Sequence, residues 1–347
     1  MRVTVGHAKA AARAWVNAAA CHEPGFAGAF FHGSVNGLPD EAILPPTSDV
    51  DVIVISANPP QVKPGKFIYQ RVLLEVSYLS NDRLQSPEQL LANYQLAGSF
   101  RTPGIIADPS RHLTRLQAVV GQQFAKREWV RRRCEDVRTK LQHDLLPPDE
   151  SRIFSDQVLA WLFGTGKTTH ILLVAGLNNP TVRRRYVAVH DLLRDNGYAE
   201  LHEHLLGLLG SGQMTRAQVE QHLVALAAVF DAASAAIKSP FVFAADLSAA
   251  ARPIAIDGTR DLIEAGYHRE AMFWIAVTYS RCQSVLDQDA PAAMQESFQA
   301  GYQRLLRDLG IHSSADLQAR RAMTRDLLPR IWDVAQAIIA ANPAVED

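Results

Sequence analysis

The sequence predicts an α+β protein, in which residues 1–110 combine strands and helices and residues 111–347 form an all-helical domain. The first region has β-branched residues at every position from 52 to 55, a pattern typical of a buried central strand. Beyond residue 111, apolar residues recur at helical spacing almost throughout. A length of 347 residues also suits two domains of ordinary size.

The composition describes an ordinary globular chain and excludes several classes of protein. Hydrophobic residues make up 48% and charged residues 20%, which rules out disorder, collagen and coiled coil. The formal net charge of -1 leaves no overall positive field to hold a long nucleic acid. The three cysteines, Cys21, Cys134 and Cys282, are widely spaced, which argues against a disulfide framework and a structural zinc site. We therefore expect a reducing cytoplasm.

The N-terminal region predicts an amphipathic helix and imitates a secretory signal only superficially. Arg13 and Asn17 interrupt the apolar run that such a signal requires. One face of the predicted helix carries Ala11, Ala14, Trp15 and Ala18. Later apolar stretches are too short to cross a bilayer, and we therefore expect no membrane span.

The rest of the first region alternates strand patterns with loops and one helix start. Strand patterns occupy residues 26–31, 49–55, 66–79 and 105–107. Ser86, Pro87 and Glu88 supply an N-cap, a proline at the first helical position and an acid in the first turn. These three residues predict a helix that runs to about residue 96.

The second region is interpreted as a helical bundle. Apolar residues recur at helical spacing in residues 113–141, 158–177, 187–193, 219–236, 262–285 and 323–339. Proline, glycine and asparagine residues separate these segments, as at Pro180 and at residues 210–212.

Two aspartates at the start of the central strand are the first residues that indicate chemistry. Asp49 and Asp51 are two positions apart, so their side chains point to the same face. Two carboxylates this close cannot both stay ionised comfortably in a half-buried site unless a cation lies among them. Oxygen ligands on a rigid strand suit Mg²⁺, which is usually held by one or two carboxylates together with substrate phosphates.

A third acid and a glycine-serine pair complete the predicted site. Glu75 lies in the next strand pattern, and beside Asp49 and Asp51 it would let the site hold two Mg²⁺ ions. Gly33 allows close approach of a phosphate, to which the following N–H groups and the Ser34 hydroxyl can donate. Each feature alone is more often structural, but their order along the chain predicts a metal-dependent nucleotide site.

In these residues the sequence resembles the DNA polymerase beta superfamily of nucleotidyltransferases, and within it the small bacterial aminoglycoside and lincosamide nucleotidyltransferases. The family pattern is an apolar residue, a Gly-Gly or Gly-Ser pair, a spacer, Asp-x-Asp or Asp-x-Glu, and then a third acid. The positions that match are Gly33, Ser34, Asp49, Asp51 and Glu75, with a long spacer at 35–48. The resemblance covers residues 10–110 and implies a mixed sheet with flanking helices and dependence on Mg²⁺.

The resemblance also implies a reaction, the transfer of a nucleoside monophosphate from ATP or another nucleoside triphosphate to a hydroxyl with release of pyrophosphate. Asp49, Asp51 and Glu75 would bind the metal ions, and Gly33 with Ser34 would hold the β and γ phosphates. The expected acceptor is a small molecule such as an aminoglycoside-like compound. The alternatives are a protein or tRNA acceptor, and a catalytically silent nucleotide-binding scaffold.

Residues 164–169 of the helical region, Gly-Thr-Gly-Lys-Thr-Thr, imitate a phosphate-binding P-loop. Trp161 stands where the motif requires a glycine, and the preceding residues have helical spacing where it requires a strand. We therefore interpret the segment as a helix interruption or turn. Lys167 is still a candidate to bind the nucleotide from the helical domain, and Asp156 and Glu150 are candidates for the general base.

Three consecutive arginines at residues 183–185 follow a helix-starting proline, Pro180. They cannot share one helix face, so at most two of them can face a phosphate. A solvated helix start with Tyr186 packed beneath it is the favoured interpretation.

Overall fold

The structure, a computed structural model, describes residues 3–61, 63–146 and 152–347. It divides the chain into two compact units, one of Met1–Asp136 with Pro343–Asp347 and the other of Val137–Asn342. The first unit contains a five-stranded sheet, and the described residues of the second lie in helices and the loops between them. The α+β class predicted from the sequence is therefore confirmed.

The sheet of the first unit is mixed. Its strands are β1 (Phe26–His32), β2 (Val50–Ser56), β3 (Gly65–Tyr69), β4 (Val72–Ser80) and β5 (Ile105–Ala107), in the order β3-β4-β2-β1-β5. Strands β2 and β4 run parallel, and the other neighbouring pairs are antiparallel. Strand β2 lies at the centre and is buried along nearly its whole length, as its β-branched run predicts.

Among the described residues, three α-helices and the first part of a fourth belong to the same unit. They are α1 (Val5–Ala18), α2 (Pro87–Ala92), α3 (His112–Gln123) and α4 (Arg127–Asp144). The buried face of α1 consists of Val5, Ala8, Ala11, Ala12 and Val16. The predicted face is therefore only partly right, because Ala11 is buried but Ala18 is exposed.

Helix α2 begins as its sequence predicts. The Ser86 side chain accepts a hydrogen bond from the Gln89 N–H, and Pro87 is the first helical residue. The helix ends at Ala92, earlier than the predicted residue 96, because the Asn93 side chain accepts hydrogen bonds from the two N–H groups that follow at Gln95 and Leu96.

The boundary between the units lies within α4, between Asp136 and Val137. The sequence suggested a boundary earlier in the chain, at residue 110. Arg133 gives the physical reason, since its buried guanidinium donates to the carbonyls of Leu91 and Phe124 at 3.1 and 2.6 Å. Burial lowers the pKa of Arg133 to about 10. These hydrogen bonds tie the first turns of α4 to the sheet-containing unit.

The strand predicted at residues 66–79 is wrong, because this segment is a hairpin of β3 and β4. The chain reverses at Gln70 and Arg71, whose φ angles are 46° and 66°. Both residues adopt the left-handed conformation that Gly and Asn usually supply in such turns. The reversal places Lys66 directly opposite Glu75.

The second unit consists of the end of α4 and eight further helices among the described residues. They are α5 (Phe154–Ala175), α6 (Arg185–Asp195), α7 (Ala199–Leu209), α8 (Arg216–Ala236), α9 (Gly258–Glu264), α10 (His268–Asp289), α11 (Ala292–Asp308) and α12 (Ser314–Ala341). The predicted segments correspond to most of them. The sequence pattern misses α7 and α11, and it joins α3 with α4 and α9 with α10 into single segments.

Helix α5 is the core helix of this unit and packs against α6, α10 and α12. Among the described residues it is the one helix long and apolar enough to cross a bilayer, and 83% of that stretch is buried. Such burial is also the usual state of a core helix in a bundle. All three cysteines are free, in agreement with the absence of a disulfide framework expected from the sequence.

Candidate metal and phosphate site

A row of polar side chains crosses the sheet near the start of β2. In the strand register, His32 of β1 pairs with Asp51 of β2, Asp51 with Glu75 of β4, and Glu75 with Lys66 of β3. Residues directly opposite one another on neighbouring strands share a face of the sheet. The row therefore brings one imidazole, two carboxylates and one ammonium group to the same side.

Asp49 adds a third carboxylate to this row. It immediately precedes β2 and lies two positions before Asp51, so it extends the same face. Carboxylate oxygens of Asp49, Asp51 and Glu75 all lie within 4.8 Å of one another. The structure thus brings together the three acids that the sequence singled out, and we call them the acidic triad.

Two lysines compensate part of the charge of the acidic triad. The Lys66 ammonium group donates to Asp49 Oδ2 at 2.6 Å and also to Glu75 Oε2. Lys63 Nζ donates to Glu75 Oε1 at 3.2 Å. Only 8% of the Lys66 side chain is exposed, whereas 36% of the Lys63 side chain is exposed. Lys66 is therefore a nearly buried cation, and Lys63 reaches the acids from the solvent side.

The pKa values of Asp51 and Glu75 are shifted in opposite directions. Burial raises the pKa of Asp51 well above its usual value, and the carboxylates of Asp49 and Glu75 raise it further. Burial also tends to raise the pKa of Glu75, but the ammonium groups of Lys66 and Lys63 outweigh it and lower that pKa. Of these two acids, Asp51 is the one whose ionised form gains more from an added cation.

Gly33 lies against Asp51 where the chain leaves β1. Its φ and ψ angles of 69° and -155° form a combination that is essentially confined to glycine. A Cβ atom at this position would overlap Asp51 Oδ2. Glycine is required here for both reasons, and its backbone fixes one side of the Asp51 carboxylate. The exposed Ser34 follows and begins a short 3-10 helix, Ser34–Gly37.

The short helix after β1 is held by the chain that precedes β5. Ser99 Oγ lies 2.6 Å from His32 Nδ1, and the Ser99 carbonyl accepts from Asn36 Nδ2 at 3.1 Å. Gly104 approaches so closely that a Cβ there would overlap the Asn36 side-chain oxygen. Burial lowers the pKa of His32, and the Glu75 carboxylate only partly offsets this, so the imidazole is neutral at pH 7.

The residues present fit a Mg²⁺ ion. Carboxylate oxygens are the ligands that this ion prefers, and three carboxylates converge here. The Gly33 backbone lies so close to Asp51 that it leaves no room for a side chain beside that carboxylate. Ser34, the residue after Gly33, is exposed to solvent.

The P-loop imitation lies inside a continuous helix. Residues 164–169 are internal to α5, so the predicted interruption or turn is wrong. A P-loop is excluded as well, because the motif requires a loop between a strand and a helix. The hydroxyls of Thr168 and Thr169 donate to the carbonyls of Thr165 and Gly166 at 2.7 Å, as buried hydroxyls in helices commonly do.

Helix packing explains the two glycines in this segment. A Cβ at Gly166 would lie 2.6 Å from Arg185 Nη1, and one at Gly164 would lie 3.2 Å from the Asp144 Cβ. The glycines therefore allow Arg185 and Asp144 to pack against α5. The Lys167 ammonium group contacts the Asp144 carboxylate within the same unit. A contact between Lys167 and a nucleotide stays a prediction.

The arginine run is less solvated than the sequence suggested. Arg185 is buried, its Nε donates to the Val182 carbonyl at 2.9 Å, and its guanidinium lies 4.3 Å from the ring centroid of Phe273. The aromatic ring offers the guanidinium a favourable buried position. Tyr186 is buried, as expected.

The structure describes one of the two candidates for a general base. Glu150 lies outside the described residues. Asp156 lies in α5, where its carboxylate accepts a hydrogen bond from Ser284 Oγ at 2.8 Å. This contact ties Asp156 to α10 within the helical unit, and its role as a base stays a prediction.

Two substitutions distinguish between the two nucleotide sites that the sequence suggests, the acidic triad and residues 164–169. We expect Lys167→Met to weaken Mg²⁺-ATP binding by no more than about 1–2 kcal/mol, the scale of one charge-assisted hydrogen bond. Asp49→Asn removes a charge from the acidic triad, and we expect it to weaken binding more. Isothermal titration calorimetry measures both. Abolished binding in Lys167→Met with normal binding in Asp49→Asn would move the site to the helical unit.

Sequence reasoning missed the residues that support the acidic triad. Lys66 could have been found from the alternation of β3, because a lysine opposite Glu75 follows once the hairpin is recognised. Lys63 and Ser99 lie in segments without a periodic pattern, which offer no comparable signal. No family model and no curated protein matches this chain.

Proposed function

We propose that this chain is a Mg²⁺-dependent nucleotidyltransferase. It transfers a nucleoside monophosphate from ATP or another nucleoside triphosphate to a hydroxyl group and releases pyrophosphate. The observation that supports this best is the convergence of Asp49, Asp51 and Glu75 beside the backbone of Gly33. Carboxylates on a rigid strand next to a glycine turn suit a metal-bound triphosphate.

Each residue of the site has a distinct task in this proposal. Asp49 and Asp51 hold the metal, which when bound neutralises negative charge on the triphosphate. Gly33 keeps the Asp51 carboxylate in place, and the exposed Ser34 donates to a β or γ phosphate oxygen. The rate enhancement comes mainly from aligning the attacking hydroxyl with the α phosphorus and from fixed charges near the phosphates.

The proposed acceptor is a small molecule that carries a free hydroxyl, such as an aminoglycoside-like compound. The nearly balanced charge, 35 Lys and Arg against 36 Asp and Glu, favours this acceptor over tRNA. A protein acceptor is the other alternative. The cytoplasm is the proposed location, because three free cysteines suit a reducing compartment.

Transfer of label tests the proposed function directly. The chain is incubated with Mg²⁺, each α-³²P-labelled nucleoside triphosphate in turn, and a panel of aminoglycosides, tRNA and proteins. We expect label on one class of acceptor, together with pyrophosphate, and neither product with the Asp51→Asn variant. Absence of both products across the whole panel would contradict the proposal.

One observation supports a second candidate, a catalytically silent protein. Lys66 and Lys63 pair with Asp49 and Glu75, so the acidic triad can persist as a set of ion pairs without any metal. In a silent protein these contacts serve the fold alone. Such a protein would transfer no label, and its melting temperature would not respond to Mg²⁺.

A further inference from the structure

Glu75 differs from the two aspartates in the state of its carboxylate. Both of its oxygens already contact ammonium groups, Oε1 that of Lys63 and Oε2 that of Lys66. A metal ion at Glu75 would have to share either oxygen with an ammonium group or displace that group. Among the hydrogen bonds between described residues, none involves Asp49 Oδ1 or either oxygen of Asp51. Those oxygens are the donors that a metal ion meets without displacing a cation.

Lys66 is built into the sheet and is not a flexible surface lysine. Its backbone pairs with Glu75 in the β3–β4 ladder, and only 8% of its side chain is exposed. A nearly buried ammonium group needs compensating charges, and Asp49 and Glu75 supply two of them. Moving this ammonium group away would leave the carboxylates of Asp49 and Glu75 without the positive charge that it supplies.

The total charge of the site argues against binding of a second metal ion. When all three acids are ionised, the ammonium groups of Lys66 and Lys63 leave one negative charge uncompensated among the side chains that the structure describes here. A single divalent ion already reverses that charge. A second ion would have to enter a site with net positive charge, beside an ammonium group a few ångströms away.

We propose that Lys66 acts as a built-in second cation, so that the site binds one divalent ion through Asp49 and Asp51 while Glu75 anchors the lysine. The inference rests on the proposed function in treating the acidic triad as a metal site. It replaces the two ions expected from the sequence with one ion and one ammonium group. Lys66 is thus a positioning residue that supplies fixed positive charge.

Binding of Mn²⁺ alone tests the number of ions without nucleotide or turnover. The electron paramagnetic resonance signal of unbound Mn²⁺ gives the stoichiometry and affinity for the full chain. We expect one ion in the wild-type protein and none in Asp49→Asn or Asp51→Asn. Glu75→Gln should keep one ion, because Glu75 gives no oxygen to it.

Variants of Lys66 give the decisive comparison. Lys66→Met should bind two ions, the first at least about tenfold more tightly than wild type, because a positive charge a few ångströms away is removed. Lys66→Arg keeps the charge and should stay at one ion. The matched control is Lys9→Met, which breaks a lysine–aspartate pair with Asp40 at 2.9 Å elsewhere in the same unit and should also stay at one ion.

The inference is overturned if the wild-type protein binds two ions or none, or if Lys66→Met leaves both stoichiometry and affinity unchanged. Where circular dichroism shows that Lys66→Met does not fold, Glu75→Gln decides, because loss of the ion there makes Glu75 a ligand. Failure of the proposed function is seen separately. If the chain binds one Mn²⁺ but transfers no label, the Lys66 inference stands and the proposed transferase activity is contradicted. If the chain transfers label but binds two ions, the transferase activity stands and the Lys66 inference is contradicted.

Discussion

Replacing Asp51 with asparagine should abolish nucleotidyl transfer and leave the protein as stable as before, or more stable. Asparagine has nearly the same shape but cannot offer the anionic ligand, so we expect a loss on the order of 10³-fold, about 4 kcal/mol of transition-state stabilisation. The fold should tolerate the change because the half-buried Asp51 carboxylate lies close to those of Asp49 and Glu75. Removal of its charge relieves that repulsion.

The stability difference should depend on pH in a defined direction. The pKa of Asp51 is raised in the folded protein, so the folded state binds this proton more tightly than the unfolded chain does. The stabilising contribution of the protonated group is complete below the unfolded pKa of about 4 and is lost as the pH rises through the folded pKa. The stability advantage of Asp51→Asn without metal should therefore be absent at the acid end and grow as the pH rises.

Urea unfolding of wild type and Asp51→Asn in EDTA, at several pH values, measures this difference. Asp82→Asn is a suitable control, because Asp82 is an exposed aspartate of the same unit. It should leave both transfer and the pH profile unchanged. Substantial residual transfer in Asp51→Asn, or a lower stability at neutral pH, would show that Asp51 is a structural partner and that the metal ligands are elsewhere.

Replacing Gly33 with alanine should damage both the fold and the activity. The backbone conformation of Gly33 is essentially confined to glycine, and imposing it on alanine costs about 1–3 kcal/mol. The added Cβ would also overlap Asp51 Oδ2, so either the turn or the Asp51 carboxylate must move. Because displacement of a reacting group by about 1 Å can cost 10²-fold, we expect transfer to fall by about that factor or more.

Gly37 offers a matched control four positions along the same turn. A Cβ there meets nothing within 4 Å, so Gly37→Ala should leave transfer and unfolding nearly unchanged. Label transfer and the urea midpoint are compared for the two variants. Equal behaviour of Gly33→Ala and Gly37→Ala would mean that contact between the Gly33 backbone and Asp51 has no role in the site.

The parts of the fold that are visible in the sequence are those set by local patterns. The β-branched run in β2 predicts a central strand because such residues pack on both faces of a buried strand. Residues two positions apart on a strand share a face whatever the surrounding structure, which is why the convergence of Asp49 and Asp51 could be predicted. The long helices of the second unit follow from their periodic apolar faces in the same way.

The errors arise where tertiary packing outweighs local signals. Gln70 and Arg71 adopt left-handed conformations without being Gly or Asn, so the β3–β4 turn leaves no mark in the sequence. The glycines of α5 make its sequence look like that of a loop. Gly166 instead has a packing role, because Arg185 lies where a side chain at this position would be. The position of Lys66 opposite Glu75 depends on the register of the hairpin, so an unrecognised hairpin hides this lysine as well.

Strand β3 lies at an edge of the described sheet, and Lys66 is the charged side chain that it directs toward the acids. An edge strand offers unpaired backbone groups to other chains, and an inward-pointing charge is one of the devices that prevent such pairing. With methionine at position 66, β3 would carry no charge, while Ile68 on the same strand is already 65% exposed. The Lys66 ammonium group is a charge of this kind, and we expect Lys66→Met to aggregate more readily than the wild-type protein as the protein concentration rises.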